Sequence, residues 1–227
     1  MRKIISFILI AIIAAGIFFS LEEMPFGATK SRVREYYLDN GIKQTGATNI
    51  VTSVVVNYRG FDTLGEVTVL FLASIGLSAI LYRKKEEKRK KRRKSSLILY
   101  TGCRFLFPLI LLFGSYIFIH GHLTPGGGFQ GGAIIASGFL LTMLGCWGWE
   151  GINRNRFKVT ESLSGLVFVI VGLLGLIYGG YFLLNYLPKG IPNQLFSAGI
   201  IPIIYIAIGF KVGSEITGII NDMVRSG

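Results

Sequence analysis

The sequence predicts an all-α, polytopic membrane protein with about six transmembrane helices and a short amphipathic surface helix, on three observations. Half of its 227 residues are apolar and the mean hydropathy is +0.57, above what a soluble domain of this size shows. Six apolar stretches approach the roughly 20 residues needed to cross a hydrocarbon core. A block of ten Lys/Arg, Arg83–Lys94, broken only by Glu86 and Glu87, lies between two of those stretches and supplies most of the formal net charge of +12.

The first span, Ile4–Leu21, follows Arg2 and Lys3 as a secretory signal would. Its apolar part exceeds the roughly 7–15 residues of a signal, and no small-x-small site precedes Glu22, so it reads as a retained span. Between Glu22 and Asp62 lies the long polar stretch outside the membrane, with five basic and five acidic residues. Within it Ile50, Val51, Val54, Val55 and Tyr58 recur at helical spacing, with Asn49, Thr52, Ser53 and Asn57 on the other face. This is the expected surface helix, lying on the outer membrane face; its β-branched content keeps a strand as the alternative.

Span 2 is expected at Leu64–Tyr82, and spans 3 to 6 at Leu97–Ile119, Gly131–Trp149, Ser162–Leu184 and Ser197–Ile220. The rule that cytoplasmic loops carry the basic residues puts Arg83–Lys94 inside. Arg154, Arg156 and Lys158 then also fall inside, the Asn185–Phe196 loop with Lys189 falls outside, and both termini are cytoplasmic. The expected location is the cell membrane, as a multi-pass protein. The basic block divides the chain into a two-helix module (1–82), a cytoplasmic linker (83–96) and a four-helix domain (97–227). Gly132/Ala136 and Ala133/Ser137 in span 4, and Gly175/Gly179 in span 5, offer small faces for close helix contact.

A basic block between two spans points to topology, with anionic lipid as a second role, and away from nucleic acid. The bilayer itself is the expected partner. Cys103 and Cys146 lack metal-ligand spacing and read as small packing residues. No phosphate-binding loop, nucleophile elbow or metal cluster is present, so neither a cofactor nor independent enzyme activity is expected.

Ionisable groups within spans are costly and therefore functional candidates. Asp62 and Glu66 flank the outer start of span 2. Thr63-Leu64-Gly65-Glu66 fits a capping box; alternatively the two carboxylates hold Na⁺ or pass protons, since hard cations want oxygen ligands. Arg104 lies eight residues into span 3 and either snorkels to the headgroups or pairs with a carboxylate of a neighbouring helix. Lys211 and Glu215, four apart in span 6, read first as a structural ion pair and second as a step on a proton path. His120 and His122 close span 3; without an evident third ligand, hydrogen bonding in the turn is preferred over metal.

The turn itself is the most specific motif. His120–Gly132 spends six glycines and a proline between two spans, and backbone so irregular at a membrane boundary must find its hydrogen bonds in protein or in a wet cavity. Residues 97–227, with Gly121-His122-Leu123-Thr124-Pro125-Gly126-Gly127-Gly128-Phe129-Gln130-Gly131-Gly132, resemble the B-type component of the Mrp-type multisubunit cation/proton antiporters, a component that recurs in energy-converting membrane hydrogenases. Residues 49–82, with Arg59-Gly-Phe-Asp-Thr-Leu-Gly-Glu66, resemble the last helices of the large A-type component of the same antiporters. The resemblance implies membership of a cation/proton antiporter module, with other antiporter subunits and a hydrogenase or other redox module as partners. It implies that Glu66 belongs to the ion path, with Na⁺ near Glu66 and Asp62. The turn through Thr124, Pro125, Gly126, Gly127, Gly128 and Phe129 would shape the interface beside it. The chain lacks the long helix array of the large A-type component, so ion transport by it alone is not expected; a purely architectural membrane-arm role is the alternative.

Overall fold

The computed structural model describes residues 2–22, 32–82, 95–146 and 154–226. Most of the expected linker, 83–94, and the tryptophans at 147 and 149 lie outside the described residues. The chain packs as two units, 1–36 and 37–227. In the first, α1 (Arg2–Glu22) is an uninterrupted apolar helix whose described side chains are all exposed, as suits a helix whose neighbours are lipid or another chain. The helix α2 (Arg32–Thr45) starts in the first unit and ends in the second; its three basic and two acidic residues gave no hydropathy signal.

The second unit is a bundle of α4 (Gly60–Tyr82), α5 (Leu97–Ile119), α6 (Gly128–Gly145), α7 (Arg154–Gly179) and α8 (Ile201–Ser226), preceded by α3 (Ile50–Thr52) and a π-helical turn over Ser53–Tyr58. With α1, six described helices are long and apolar enough to cross a membrane, and no strand occurs among the described residues. Residues 50–58 are therefore helical, as the face pattern predicts, but wound wide: the Arg59 N–H donates to Val54 O, five residues back.

Helix α8 is the axis, in contact with each of α4, α5, α6 and α7. Its buried apolar face (Ile201, Ile204, Ala207, Ile208 and Val212) packs with Val67 of α4 and Phe168 and Val171 of α7 in one core. Against α6 the approach is close enough for backbones to touch. A methyl added to Gly132 would sit 2.8 Å from Gly209 O and 2.9 Å from Gly213 N, so only glycine fits. The small face expected for span 4 is thus real on its Gly132/Ala136 side, which is buried, while Ala133 and Ser137 are exposed. Gly175 of span 5 is covered by its own chain, Leu183 and Leu184 folding back onto it.

Two boundaries move for backbone reasons. Span 5 runs Asn155–Gly179, not to Leu184, because Gly180 takes φ +82 and the chain turns back, with the Leu183 N–H donating to Gly172 O. Span 6 starts at Ile201 because Ala198 and Gly199 both have positive φ. The expected packing cysteines are joined to each other in a disulfide that ties α5 to the end of α6, with Cα atoms 6.4 Å apart. Membrane spans carry no reliable sequence cue to such a pair 43 residues apart.

Replacing Gly132 by Ala forces the α6 and α8 backbones apart and should cost about 1–3 kcal/mol by overpacking. Thermal unfolding of the purified assembly should show a lower midpoint for Gly132→Ala and an unchanged one for Ala133→Leu on the exposed face.

Candidate functional site

Two polar centres interrupt the apolar bundle, one at each end. The first is a knot around the glycine-rich turn. Asn49 caps α3 by accepting from the Val51 N–H, and its amide donates to Gly121 O and Thr124 O, both at 3.0 Å. Thr52 Oγ1 donates to Gly121 O at 2.6 Å and accepts from the Tyr205 hydroxyl of α8 at 3.0 Å. Thr45 and Ser53 hydroxyls share a bond of 2.8 Å. The segment expected to turn its polar face away from the apolar one does so, but inward: Thr52 and Ser53 are buried and Val51 is exposed. The carbonyls of a glycine turn needed donors, and this face supplies them.

Within the knot, Gly121 lies under the Tyr205 ring, where a methyl would come within 2.7 Å of ring carbons. Gly127, at φ 155 and ψ 177, takes a conformation open essentially to glycine, and delivers the chain into α6. Thr124 and Pro125 are exposed, Gly126 and Phe129 half-buried, Gly127 and Gly128 buried. His120 stacks on Tyr116, while His122 is completely buried with both ring nitrogens lacking a hydrogen-bond partner among the described residues. Burial depresses the His122 pKa below 6.5. The backbone of Gln194, Leu195 and Ile119 pulls it partly back without completing a bond of ordinary geometry, and His120 adds a smaller lowering.

The second centre lies between α4, α7 and α8 at the opposite end of the bundle. Lys211 Nζ and Glu215 Oε2 are 3.3 Å apart, with the Glu215 side chain fully buried. The Lys211 stem passes over Gly165 of α7, and its ammonium lies 4.9 Å from the centre of the Phe71 ring of α4. Glu215 Oε1 is buried without a partner among the described residues, and Glu215 is one of the residues lining a chamber of ≈ 480 Å³. Ser74 and Ser78 of α4, Lys158 and Glu161 of α7, and Asn221 and Asp222 of α8 supply its polar lining. Ser78 donates to Asp222 Oδ2 at 2.8 Å.

The expected site residues therefore do not form one cluster. Asp62 pairs with Arg59 on the exposed start of α4, and Glu66 is exposed one turn further along. The capping box does not form: α4 begins at Gly60, and the buried Thr63 hydroxyl donates to Val55 O instead. Arg104 is exposed on α5 and donates to the Tyr100 hydroxyl. Only Lys211 and Glu215 come together. The serines of α4 and the first turns of α7 carried no pattern that sequence reading used; the four-residue spacing of Ser74 and Ser78, which puts them on one face of α4, was the available cue.

Comparison with known proteins decides the family. The family described as "Domain related to MnhB subunit of Na+/H+ antiporter" matches residues 98–218, more than half of the chain. The chain belongs to this family. A second family, MbhE, named for the E component of MBH, matches residues 1–94. An uncharacterised protein of Methanocaldococcus jannaschii is 30% identical, covering 88% of this chain and 84% of its own. Among solved structures, a chain of the archaeal membrane-bound sulfane sulfur reductase, a respiratory membrane complex, is 49% identical with a TM-score of 0.80 over 98% of both chains. A chain of the Mrp complex of a Dietzia species is 26% identical with a TM-score of 0.72; this protein spans 98% of itself there but 26% of that longer chain. The protein is thus a multi-pass membrane member of the MnhB-related family.

A histidine held below its free pKa stabilises the fold fully above about pH 6.5, and that contribution is lost as pH falls toward the folded value. Thermal stability of the assembly should therefore drop as pH falls below about 6.5, and His122→Asn should flatten that dependence.

Proposed function

We propose that this chain is a membrane subunit of a multisubunit cation/proton antiporter module, built into a redox-linked membrane complex. The observation that carries the reading is the Lys211–Glu215 pair, buried in mid-helix beside a polar chamber. Burying two charges costs several kcal/mol per ion, and replacing such a pair by apolar residues is often neutral or stabilising. Here one carboxylate oxygen is also left without a partner among the described residues. A scaffold has no use for that arrangement; a group that binds and releases protons does. The likeness to chains of an Mrp complex and of a respiratory complex supports the assembly, and neither the chain nor this site provides a full path on its own.

In this reading Glu215 is the titrating carboxylate, Lys211 the fixed counter-charge that makes its ionisation tolerable, and Glu161 a second acid in the chamber wall. Glu66, exposed on α4 within the span, meets a neighbouring subunit rather than lipid and joins the cation route there, with Asp62 at its outer edge. Residues 1–82 act as the module that makes this contact, 83–96 as a cytoplasmic linker, and 97–227 as the antiporter-type domain. Both termini lie in the cytoplasm.

The test is Glu215→Gln in the native complex, reconstituted in vesicles. The complex should assemble with proton movement reduced at least about tenfold, an effect of ~1.4 kcal/mol or more. Unchanged proton and cation movement by an assembled Glu215→Gln complex would leave the architectural role standing.

A further inference from the structure

The chamber between α4, α7 and α8 has a direction that the helix order fixes. It is lined by the last turns of α4 (Ser74 to Ala79), the first turns of α7 (Phe157 to Ser162) and the second half of α8 (Ser214 to Asp222). All three segments lie at one end of the bundle, the end from which the basic block at 83–94 departs. From Asp222 back to Ser214 is eight residues, so the chamber reaches about 12 Å along α8 at 1.5 Å per residue.

Above Lys211 the bundle has no comparable polar lining among the described residues. Ile204, Ile208 and Val212 of α8 are 0–2% exposed, and they pack against Val67 of α4 and Phe168 and Val171 of α7 in a single apolar core. Between Lys211 and the Tyr205–Thr52 hydroxyl pair, α8 turns only apolar residues and glycine inward. Nine of the fourteen residues lining the chamber are polar or charged, although carbon makes up most of the lined surface. It is large enough for several waters, and Glu215, whose Oε1 wants a donor, stands in its wall, which together favour water inside it.

We infer that this chamber is a blind, water-filled half-channel that connects Glu215 to one side of the membrane only, with the Val67–Phe168–Ile204–Ile208–Val212 core as its closed end. The ligand it takes is water, and through water a proton at Glu215. The charged groups facing Glu215 are Lys211 on its own helix and Glu161 and Lys158 on α7, with Asp222 at the mouth; α4 offers hydroxyls and apolar groups, and α6 contains no ionisable residue. A proton loaded at Glu215 therefore leaves by the way it came unless another subunit completes the path. The inference rests on Glu215 being the proton-carrying group, but the wetness and sidedness of the chamber are read without transport.

Single cysteines at Ser74, Ser214 and Gly218 probe the chamber, and one at Ile204 probes its closed end. The native complex carrying each is prepared in membrane vesicles of both orientations and treated with an impermeant, positively charged methanethiosulfonate, with labelling located on this chain by peptide mass spectrometry. Cys103 and Cys146 are bonded to each other and supply no background. Ser214→Cys and Gly218→Cys should label at least about tenfold faster from the face carrying Lys158, an accessibility difference of ~1.4 kcal/mol, and Ile204→Cys from neither. If Ser214→Cys fails to assemble, Ser74→Cys on the α4 wall reads the same space. Labelling of the chamber positions from both faces, or from neither, overturns the inference, as does labelling of Ile204→Cys from the far face. One-sided labelling with a fully active Glu215→Gln complex would keep the half-channel and remove Glu215 from transport, so the two failures are separable.

Discussion

Backbone contact between α6 and α8 is the constraint on which the rest of the bundle depends. In hydrocarbon, apolar side chains gain nothing by leaving lipid for another helix, so association relies on close packing and polar contacts. Gly132 against Gly209 and Gly213 provides such packing, as does Gly131 against Gly114 on the α5 side. With α6 drawn onto α8, α5 follows through Gly114 and Gly131, and α4 and α7 occupy the remaining flanks of α8. The glycine turn is a consequence of the same approach. Gly128 starts α6 where any side chain would strike Ile208, so the chain must enter the helix with a backbone that only Gly127 can adopt.

That geometry sets where polarity is tolerated. The α6 side of α8 is closed by backbone contact, and the half of its α4/α7 side nearer Tyr205 by aliphatic and aromatic residues. Only the other half of the α4/α7 side is lined by serines and charged groups, and there Lys211 and Glu215 sit. The lysine stem crosses Gly165, where an added methyl would lie in ordinary contact with it at 3.6 Å. At the other end, polar groups serve the opposite purpose: Asn49, Thr52 and Asn185 saturate carbonyls of irregular loops. Each end still leaves buried polar atoms without a partner among the described residues, the His122 ring nitrogens at the turn and Glu215 Oε1 in the chamber.

The spans were legible because hydropathy over 20 residues survives any tertiary arrangement, and span 3 runs Leu97–Ile119 as read. The helical face at Ile50–Tyr58 was also legible, but which side it buries was not. Val51 and Val54 look like the buried side by water-based logic, whereas at a membrane surface Thr52 and Ser53 are wanted inside by a turn about 70 residues away. The ends of spans 5 and 6 were lost to positive φ at Ala198, Gly199 and Gly180, a backbone property with no hydropathy signature. The chamber was half legible: Lys211 and Glu215 announced themselves by charge and spacing, while Ser74, Ser78 and Glu161 became a lining only when three helix ends met.

A blind chamber beside an ion pair has a mechanistic consequence. A carboxylate reached by water from one side, and sealed from the other by close-packed aliphatic groups, can load and unload but cannot conduct. Conduction needs either a rearrangement of that core or a second half-path in a neighbour. The core is deeply buried, and Gly128 and Gly132 of α6 press directly on its Ile208 and Val212, which argues against rearrangement. A neighbour is the simpler solution, and the exposed face of α4 offers it a place to bind. That face carries Glu66 within the span, a carboxylate that lipid will not accept and that no described residue pairs. One helix, α4, then separates the two acids, with its serine wall toward Glu215 and its carboxylate toward the neighbour. On the roles proposed for Glu215 and Glu66, their coupling would pass across α4, so substitutions on this helix, more than in the glycine-rich turn, would alter it.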